Sequence, residues 1–313
     1  MPADYPPITW DEALQAEARQ LLQLARDEDL GELGDVTTQA TVDPAARGAA
    51  DVVARQSGVV AGLGIGQLAI EAFAADAEFM PLVDDATRVE PGQPVARLSG
   101  RAADLLTVER TLLNFLGRLS GVATQTARYV EAAGSDSAQV YDTRKTTPGW
   151  RRLEKYAVRQ GGGRNHRLGL HSAVLIKDNH LALSDQAGLT PADAVLRART
   201  YLSGSELVAS HSAMVVEVEV DTLAQLATVL PAQPDVILLD NMTPQQLAEA
   251  VQMRNRHAET TGQRAVLEAS GGVRLETIGE IARSAVDRIS VGSLTHAAVT
   301  LDFGLDWVDQ TAR

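Results

Sequence analysis

The sequence contains no cysteine. That excludes disulfides, thiolate metal sites and a cysteine nucleophile together, and it fits a reducing compartment. Aromatic residues make up only 4% of the 313 positions, so the core must be built from Leu, Val, Ile and Ala. No run of about 18 apolar residues occurs, and no membrane span is expected. The opening Met1-Pro2-Ala3-Asp4-Tyr5-Pro6-Pro7 has neither a basic nor an apolar stretch and does not read as a signal peptide. A cytoplasmic protein is the expectation. Basic residues are in the minority, 28 against 41 acids, and a net charge of −13 argues against broad nucleic-acid binding.

Lysine is scarcest of the charged residues, with only Lys145, Lys155 and Lys177 in the chain. All three fall in one basic segment. From Arg144 to Lys177 the chain carries Arg144, Lys145, Arg151, Arg152, Lys155, Arg159, Arg164, Arg167 and Lys177 against the single acid Glu154, a local charge of +8. The plainer explanation is a solvated basic face. The sharper one is capture of a multiply charged anion, because arginine forks match carboxylate and phosphate oxygens.

A chain of this length is expected to form one or two domains. Thr9 to about Arg26 reads as a helix, with Thr9-Trp10-Asp11-Glu12 as its capping box. An acidic glycine-bearing loop follows at Glu28–Thr38. Gly48–Gly62 and Arg88–Leu98 read as strands, the second broken by a turn at Glu90–Gln93, with a helix at Ile65–Ala75 between them. A long helical stretch is expected over about Ala103–Ala133, interrupted near Gly117 and Gly121. Residues 1–115 are therefore expected to form a small α+β domain.

Beyond it, short apolar runs end in polar residues: Gln139–Asp142, Ala173–Asp178, Met214–Glu219, Asp235–Asp240, Ala265–Ser270 and Arg288–Gly292. Helices such as Thr243–Arg256 and Leu275–Ser284 separate the later runs. This alternation predicts parallel strands buried on both faces, in an α/β domain over 116–296. A barrel form places chemistry at strand C-termini; a doubly wound open sheet is the alternative. The tail, 297–313, is expected to pack on the first domain.

The expected strand ends carry Arg144, Lys177, Glu219, Asp240, Ser270 and Gly292. Glu219 and Asp240 end adjacent strands and could hold Mg²⁺ through water, bind ribose hydroxyls or stabilise a cation. Glu217 shares Glu219's side by period two, so either could face the ligand. The glycines of Ser270-Gly271-Gly272 and Gly292-Ser293-Leu294-Thr295-His296 suit a phosphate dianion held by backbone amides, or simply two tight turns. Lys177 invites a Schiff-base reading, although its arginine-rich surroundings fit anion capture better. His166, His171, His180 and Asp178 show no zinc motif. Gly62, Gly64 and Gly66 fall short of a dinucleotide-binding loop.

Together these motifs resemble quinolinate phosphoribosyltransferase, also called carboxylating nicotinate-nucleotide pyrophosphorylase. The resemblance rests on Asp142–Gly149, Lys155–Arg159, Gly161–Leu170, Lys177–His180, Glu217–Asp221, Leu239–Asn241, Ser270–Gly272 and Val291–His296, with Gly34–Thr38, Glu109-Arg110 and Leu119–Gly121 upstream. It covers nearly the whole chain in order.

The resemblance implies an open, incomplete parallel α/β barrel with a smaller N-terminal α+β domain, in a homodimer with shared active sites. It also implies conversion of quinolinate and phosphoribosyl pyrophosphate to nicotinate mononucleotide, pyrophosphate and CO₂ with Mg²⁺. Arg144, His166 and Arg167 match positions that grip the substrate carboxylates, with Lys145 and Lys177 beside them. Arg110 matches an arginine from the neighbouring subunit. Glu219 and Asp240 match the acids near ribose and metal, and Ser270, Gly271, Gly292 and His296 match the phosphate pocket. Phe115–Arg118 and Arg164 read as tolerated variation. A paralogous transferase, an aldolase-type lysine enzyme and a non-catalytic binder are the rival readings.

Overall fold

The computed structural model describes residues 4–134, 138–183, 188–204 and 214–308. Its strands before the long helix Ala102–Ala133 are β1 (Arg47–Ala54), β2 (Gly58–Val59), β3 (Ala77–Pro81), β4 (Arg88–Val89) and β5 (Pro94–Arg101). After it come β6 (Gln139–Tyr141), β7 (Val174–Ile176), β8 (Val216–Val220), β9 (Val236–Asp240), β10 (Val266–Ser270), β11 (Arg288–Ser290) and β12 (Phe303–Trp307). The chain divides into two compact units. One comprises Met1–Pro6, Arg128–Lys145 and Gly163–Ser293, and the other Pro7–Ala127, Thr146–Gly162 and Leu294–Arg313. The chain thus passes between units more often than a single boundary near residue 115 implies.

In the first unit, strands pair in parallel in the order β6-β11-β10-β9-β8-β7. Period two sorts their side chains. Val216, Val218, Val220, Ile237, Leu239, Leu267, Ala269 and Ile289 bury one face. The other carries Glu217 and Glu219, Leu238 and Asp240, Glu268 and Ser270, and Arg288 and Ser290. Tyr141 of β6 and Ala173 just before β7 share one apolar cluster with Val215, Val236, Val266 and Tyr5. Residues from the two edges meet only if the sheet curls, and the result is a barrel left open. Among the described residues β6 pairs with β11 and β7 with β8, with no pairing between β6 and β7. Arg164 adds a parallel bridge to Tyr141 on the other side of β6.

Local chemistry fixes the helices that follow these strands. Thr243 caps Pro244–Thr261, with Gln246 completing the capping box and Pro244 at the first turn. Gly262 ends that helix in a left-handed conformation. Thr222 and Gln225 cap Leu223–Val229 in the same way.

The second unit holds an antiparallel sheet of order β12-β1-β5-β3 and the small pair β2-β4. The helix read from Thr9 starts later, at Glu12, and runs to Leu30. Its cap is Asp11, whose carboxylate accepts the Leu14 N–H at 2.8 Å, so the Thr9–Glu12 capping box is not formed. The segment read as an acidic loop contains the end of this helix and the start of a second, Val36–Thr41, capped by Asp35.

Helix Ala102–Ala133 is unbroken. Gly117 and Gly121 serve close approach instead of interruption. Leu301 N–H donates to Gly117 O at 3.0 Å, and a Cβ at Gly121 would collide with the Val299 carbonyl.

Candidate active site

Three strand ends of the first unit gather opposite charges. Lys177 follows β7, Glu219 is the fourth residue of β8 and Asp240 ends β9. The Lys177 ammonium forms an ion pair with Glu219. Burial pushes the Glu219 carboxyl above its ordinary range, Lys177 opposes this, and the charges of Asp240 and Asp178 add to it. Asp240 is raised as well, first by burial and then, against Lys177, by Asp221 and Asp178. Lys177 thus faces Glu219 and Asp240, and the charges of Asp178 and Asp221 add to theirs. That donor set of carboxylate oxygens suits a hard divalent cation or a developing positive charge. Glu217 and Glu219 differ in depth: both lie on the same face, but Glu219 stands near the strand end and Glu217 is fully buried below it.

A second group is cationic. Arg144 and Lys145 lie just beyond β6, and Arg167 lies on the segment from Arg164 to Ala173. Arg167 is 7% exposed. Its Nη1 donates to Ala173 O at 3.1 Å, while its buried Nε has no hydrogen-bond partner among the described residues. Burial, followed by the positive charge of Arg144, pushes the Arg167 guanidinium below its ordinary value. A desolvated guanidinium facing another cation, with a donor to spare, is shaped for an anion.

Asp142 ties the two arginine-bearing loops together. One carboxylate oxygen accepts the His166 N–H at 2.7 Å and the other the Asn165 amide at 2.8 Å. The His166 ring turns inward. The Arg167 N–H donates to His166 Nδ1 at 2.8 Å, so the proton sits on Nε2, which lies 3.0 Å from Glu217 Oε2 and 3.5 Å from Glu268 Oε1. Both nitrogens therefore have partners within the protein. The ligand atoms of His166, Glu217 and Glu268 lie within 4.8 Å of one another. Because Nε2 carries the proton, it lacks the lone pair a metal requires.

The expected phosphate loops occupy neighbouring strand ends. Ser270 of β10 is in register with Asp240 of β9. Gly271 has φ +88°, and an added Cβ there would strike the Asn241 side chain, so this turn needs glycine both for its backbone and for space. Asn241 N–H donates to Ser270 O at 2.9 Å. Gly292 follows β11, and the Ser293 hydroxyl lies 3.0 Å from that of Tyr129. Arg110 and His296 belong to the second unit and are exposed there.

A cavity of about 880 Å³ runs along β7, where Arg167 joins Leu170, Val174, Leu181, Leu183 and Leu202. Its lining also includes Arg197, His171 and His180.

Residues 35–120 match the model for the quinolinate phosphoribosyl transferase N-terminal domain, and residues 122–306 match that for the C-terminal domain. The chain belongs to the quinolinate phosphoribosyltransferase family.

Similarity extends over full-length relatives of this family. The chain is 42% identical over 291 residues to nicotinate-nucleotide pyrophosphorylase [carboxylating] of Mycobacterium leprae, covering 92% of this chain and 96% of that one. The nicotinate-nucleotide pyrophosphorylase structure from Francisella tularensis superposes with a TM-score of 0.85 at 32% identity, covering 97% of this chain and all of that one. NadC from Streptococcus pyogenes gives 0.83 at 37% identity, with 96% of this chain covered.

Within this phosphoribosyltransferase framework, the +8 segment proves to be divided. Arg152 pairs with Asp11 and Glu17, and Arg164 pairs with Asp4, so these cations are committed to structure. Arg118, read as tolerated variation, is instead a junction. It donates to Glu154 at 2.5 and 3.1 Å and to the carbonyls of Thr295 and Ala298 at 2.6 and 2.9 Å. Glu154, fully buried, also accepts the Thr147 N–H and hydroxyl. The one acid of the basic segment was the available signal: a lone carboxylate among cations, placed on a helix, marks a tether.

Proposed function

We propose that the protein transfers a phosphoribosyl group from phosphoribosyl pyrophosphate to quinolinate, releasing pyrophosphate and CO₂ and leaving nicotinate mononucleotide. One observation carries the choice of a dicarboxylate: the buried Arg167 guanidinium, with a spare Nε–H and Arg144's charge beside it. An anion held by these two arginines would relieve both the unsatisfied donor and the repulsion.

In this reading, Arg144 and Arg167 orient the pyridine ring, with Lys145 adding positive charge at the same loop. The bond from ribose C1 to pyrophosphate breaks, and its electron pair leaves with the pyrophosphate. Positive charge grows on the ribose ring, where Glu219 and Asp240 stabilise it, their own charges restrained by Lys177. The pyridine nitrogen then bonds to C1. The bond to the 2-carboxylate breaks next, leaving its electron pair on a carbon beside the now cationic nitrogen, and that carbon takes up a proton as CO₂ departs. Ser270, Gly271 and Gly292 cradle the 5-phosphate.

Mg²⁺ belongs to the same reading. Glu219 and Asp240 would hold it through water, and when bound it neutralises the leaving pyrophosphate. The reading also includes a homodimer in which Arg110 reaches the partner subunit's site, His296 as a phosphate ligand and a cytoplasmic setting. Incubation with quinolinate carrying a labelled 2-carboxylate, the ribose donor and Mg²⁺ tests the proposal. Equal release of labelled CO₂ and nicotinate mononucleotide is expected, and a nucleotide formed without CO₂ would overturn it.

A further inference from the structure

Tyr5 lies on the underside of the barrel, among residues that precede or begin β7, β8, β9 and β10. Tyr5 is 7% exposed and packs with Tyr141, Ala173, Val215, Val236 and Val266. Asp4 beside it is held firmly. It accepts the Tyr141 hydroxyl at 2.8 Å and Arg164 Nη1 at 3.0 Å, and Arg288 lies 3.6 Å away. Arg288 in turn sits over the rings of Tyr141 and Tyr5, 4.7 and 5.7 Å from their centroids.

From this anchored position Tyr5 reaches upward. Its hydroxyl donates to Glu217 Oε2 at 2.7 Å, across 212 positions of sequence, and its ring stacks on His166 with centroids 4.6 Å apart. The same Glu217 oxygen lies 3.0 Å from His166 Nε2. On the far side of the imidazole, Nδ1 receives the main-chain N–H of Arg167. Each group in this chain has its donor and acceptor roles fixed by the next, so the ring cannot flip or turn without breaking a buried hydrogen bond.

We infer that Tyr5, Glu217 and His166 are positioning residues for the dicarboxylate end of the active site, fixing the main chain from which Arg167 projects. The inference rests on the substrate reading above. It accounts for three features together: a buried carboxylate below Glu219, a histidine whose ring nitrogens both meet protein groups, and a tyrosine near the N-terminus buried among the barrel strands. A purely space-filling tyrosine would need no carboxylate against its hydroxyl, and burying one is costly unless it is bonded.

Tyr5→Phe keeps the ring and removes only the hydroxyl. Binding of benzene-1,2-dicarboxylate, which has both carboxylates and no ring nitrogen, is measured by calorimetry for wild type and variant. A loss of roughly three- to tenfold in affinity is expected, with quinolinate KM rising in parallel and the KM for phosphoribosyl pyrophosphate unmoved. Two histidine variants separate the roles. In His166→Asn an amide oxygen can stand near Nδ1 and keep the Arg167 contact, so its quinolinate KM should rise less than that of His166→Gln.

Unchanged dicarboxylate affinity in Tyr5→Phe, or equal rises in both KM values that track a fall in melting temperature, overturns the inference. A wild type that binds the dicarboxylate but makes no nucleotide from quinolinate defeats the substrate reading and leaves the calorimetric test standing. A wild type that binds no dicarboxylate overturns both.

Discussion

Asp142 holds His166 by its main chain, with a carboxylate oxygen 2.7 Å from the His166 nitrogen. Arg144 lies two residues after the first of this pair and Arg167 one residue after the second. The contact therefore sets the spacing of two cations that would otherwise repel each other apart. Asp142→Asn replaces one acceptor with a donor facing donors. Quinolinate KM should rise roughly tenfold, with the KM for the ribose donor unchanged in steady-state assays. Equal effects on both substrates would argue against a local role.

Arg144→Ala and Arg167→Ala remove the proposed carboxylate contacts themselves. Each should cost about 1.5–3 kcal/mol of binding, a roughly tenfold to hundredfold rise in quinolinate KM. Thermal melting should show the fold retained in both. Unchanged kinetics in both variants would remove the proposed pocket.

Glu268 gives a prediction in stability against pH. Burial, then repulsion from Glu217, raises its carboxyl from 4.5 to about 7. Its folded value lies above its unfolded one, so the folded state binds the proton more tightly. The associated stability is complete below about 4.5 and is lost as pH rises through about 7. Glu268→Gln keeps the shape without the charge. The variant should gain melting temperature over wild type at pH 8 and not at pH 4, by roughly 2–4 °C for each kcal/mol recovered. A constant difference across this range would contradict the assignment.

The Arg118–Glu154 pair predicts a structural cost. Arg118→Ala leaves a fully buried carboxylate without its main cation. A loss of about 3–5 kcal/mol is expected, read as a lower midpoint in urea with an unchanged slope. Arg118→Lys should recover only part of it, because a compact ammonium lacks the spread of Nε, Nη1 and Nη2 by which the guanidinium reaches Glu154, Thr295 and Ala298.

The parallel strands were legible because a strand buried on both faces must be a short apolar run, and each run ended where chemistry could sit. Glu219, Asp240 and Lys177 could be placed at one mouth on that basis. Period two put Glu217 on the same face as Glu219 but carried no information on depth, which depends on the register with β9 and on what fills the barrel floor. Tyr5 left no local signal at all: its partner is more than two hundred residues away, and a tyrosine among prolines resembles any terminal segment. Glycines were ambiguous for a different reason. Gly117 and Gly121 weaken a helix in isolation, yet here they admit the backbone of residues 299–301, a contact that no local pattern announces. Asp11 displaced Thr9 as the helix cap because both residue types cap well, and the first turn formed where its apolar face begins, at Leu14.

The pairing of β12 with β1 has a consequence for biosynthesis. Arg55 and Asp306, joined by a bidentate ion pair across this edge, stand 251 positions apart. A ribosome delivers β1, β3 and β5 long before β12, so the N-terminal sheet emerges with one flank uncovered while the parallel strands are still being made. An exposed strand edge is a template for the wrong neighbour. The nascent chain must keep that flank unoccupied until synthesis reaches Phe303–Trp307, and a transcript truncated before that point would yield a polypeptide prone to join its own copies.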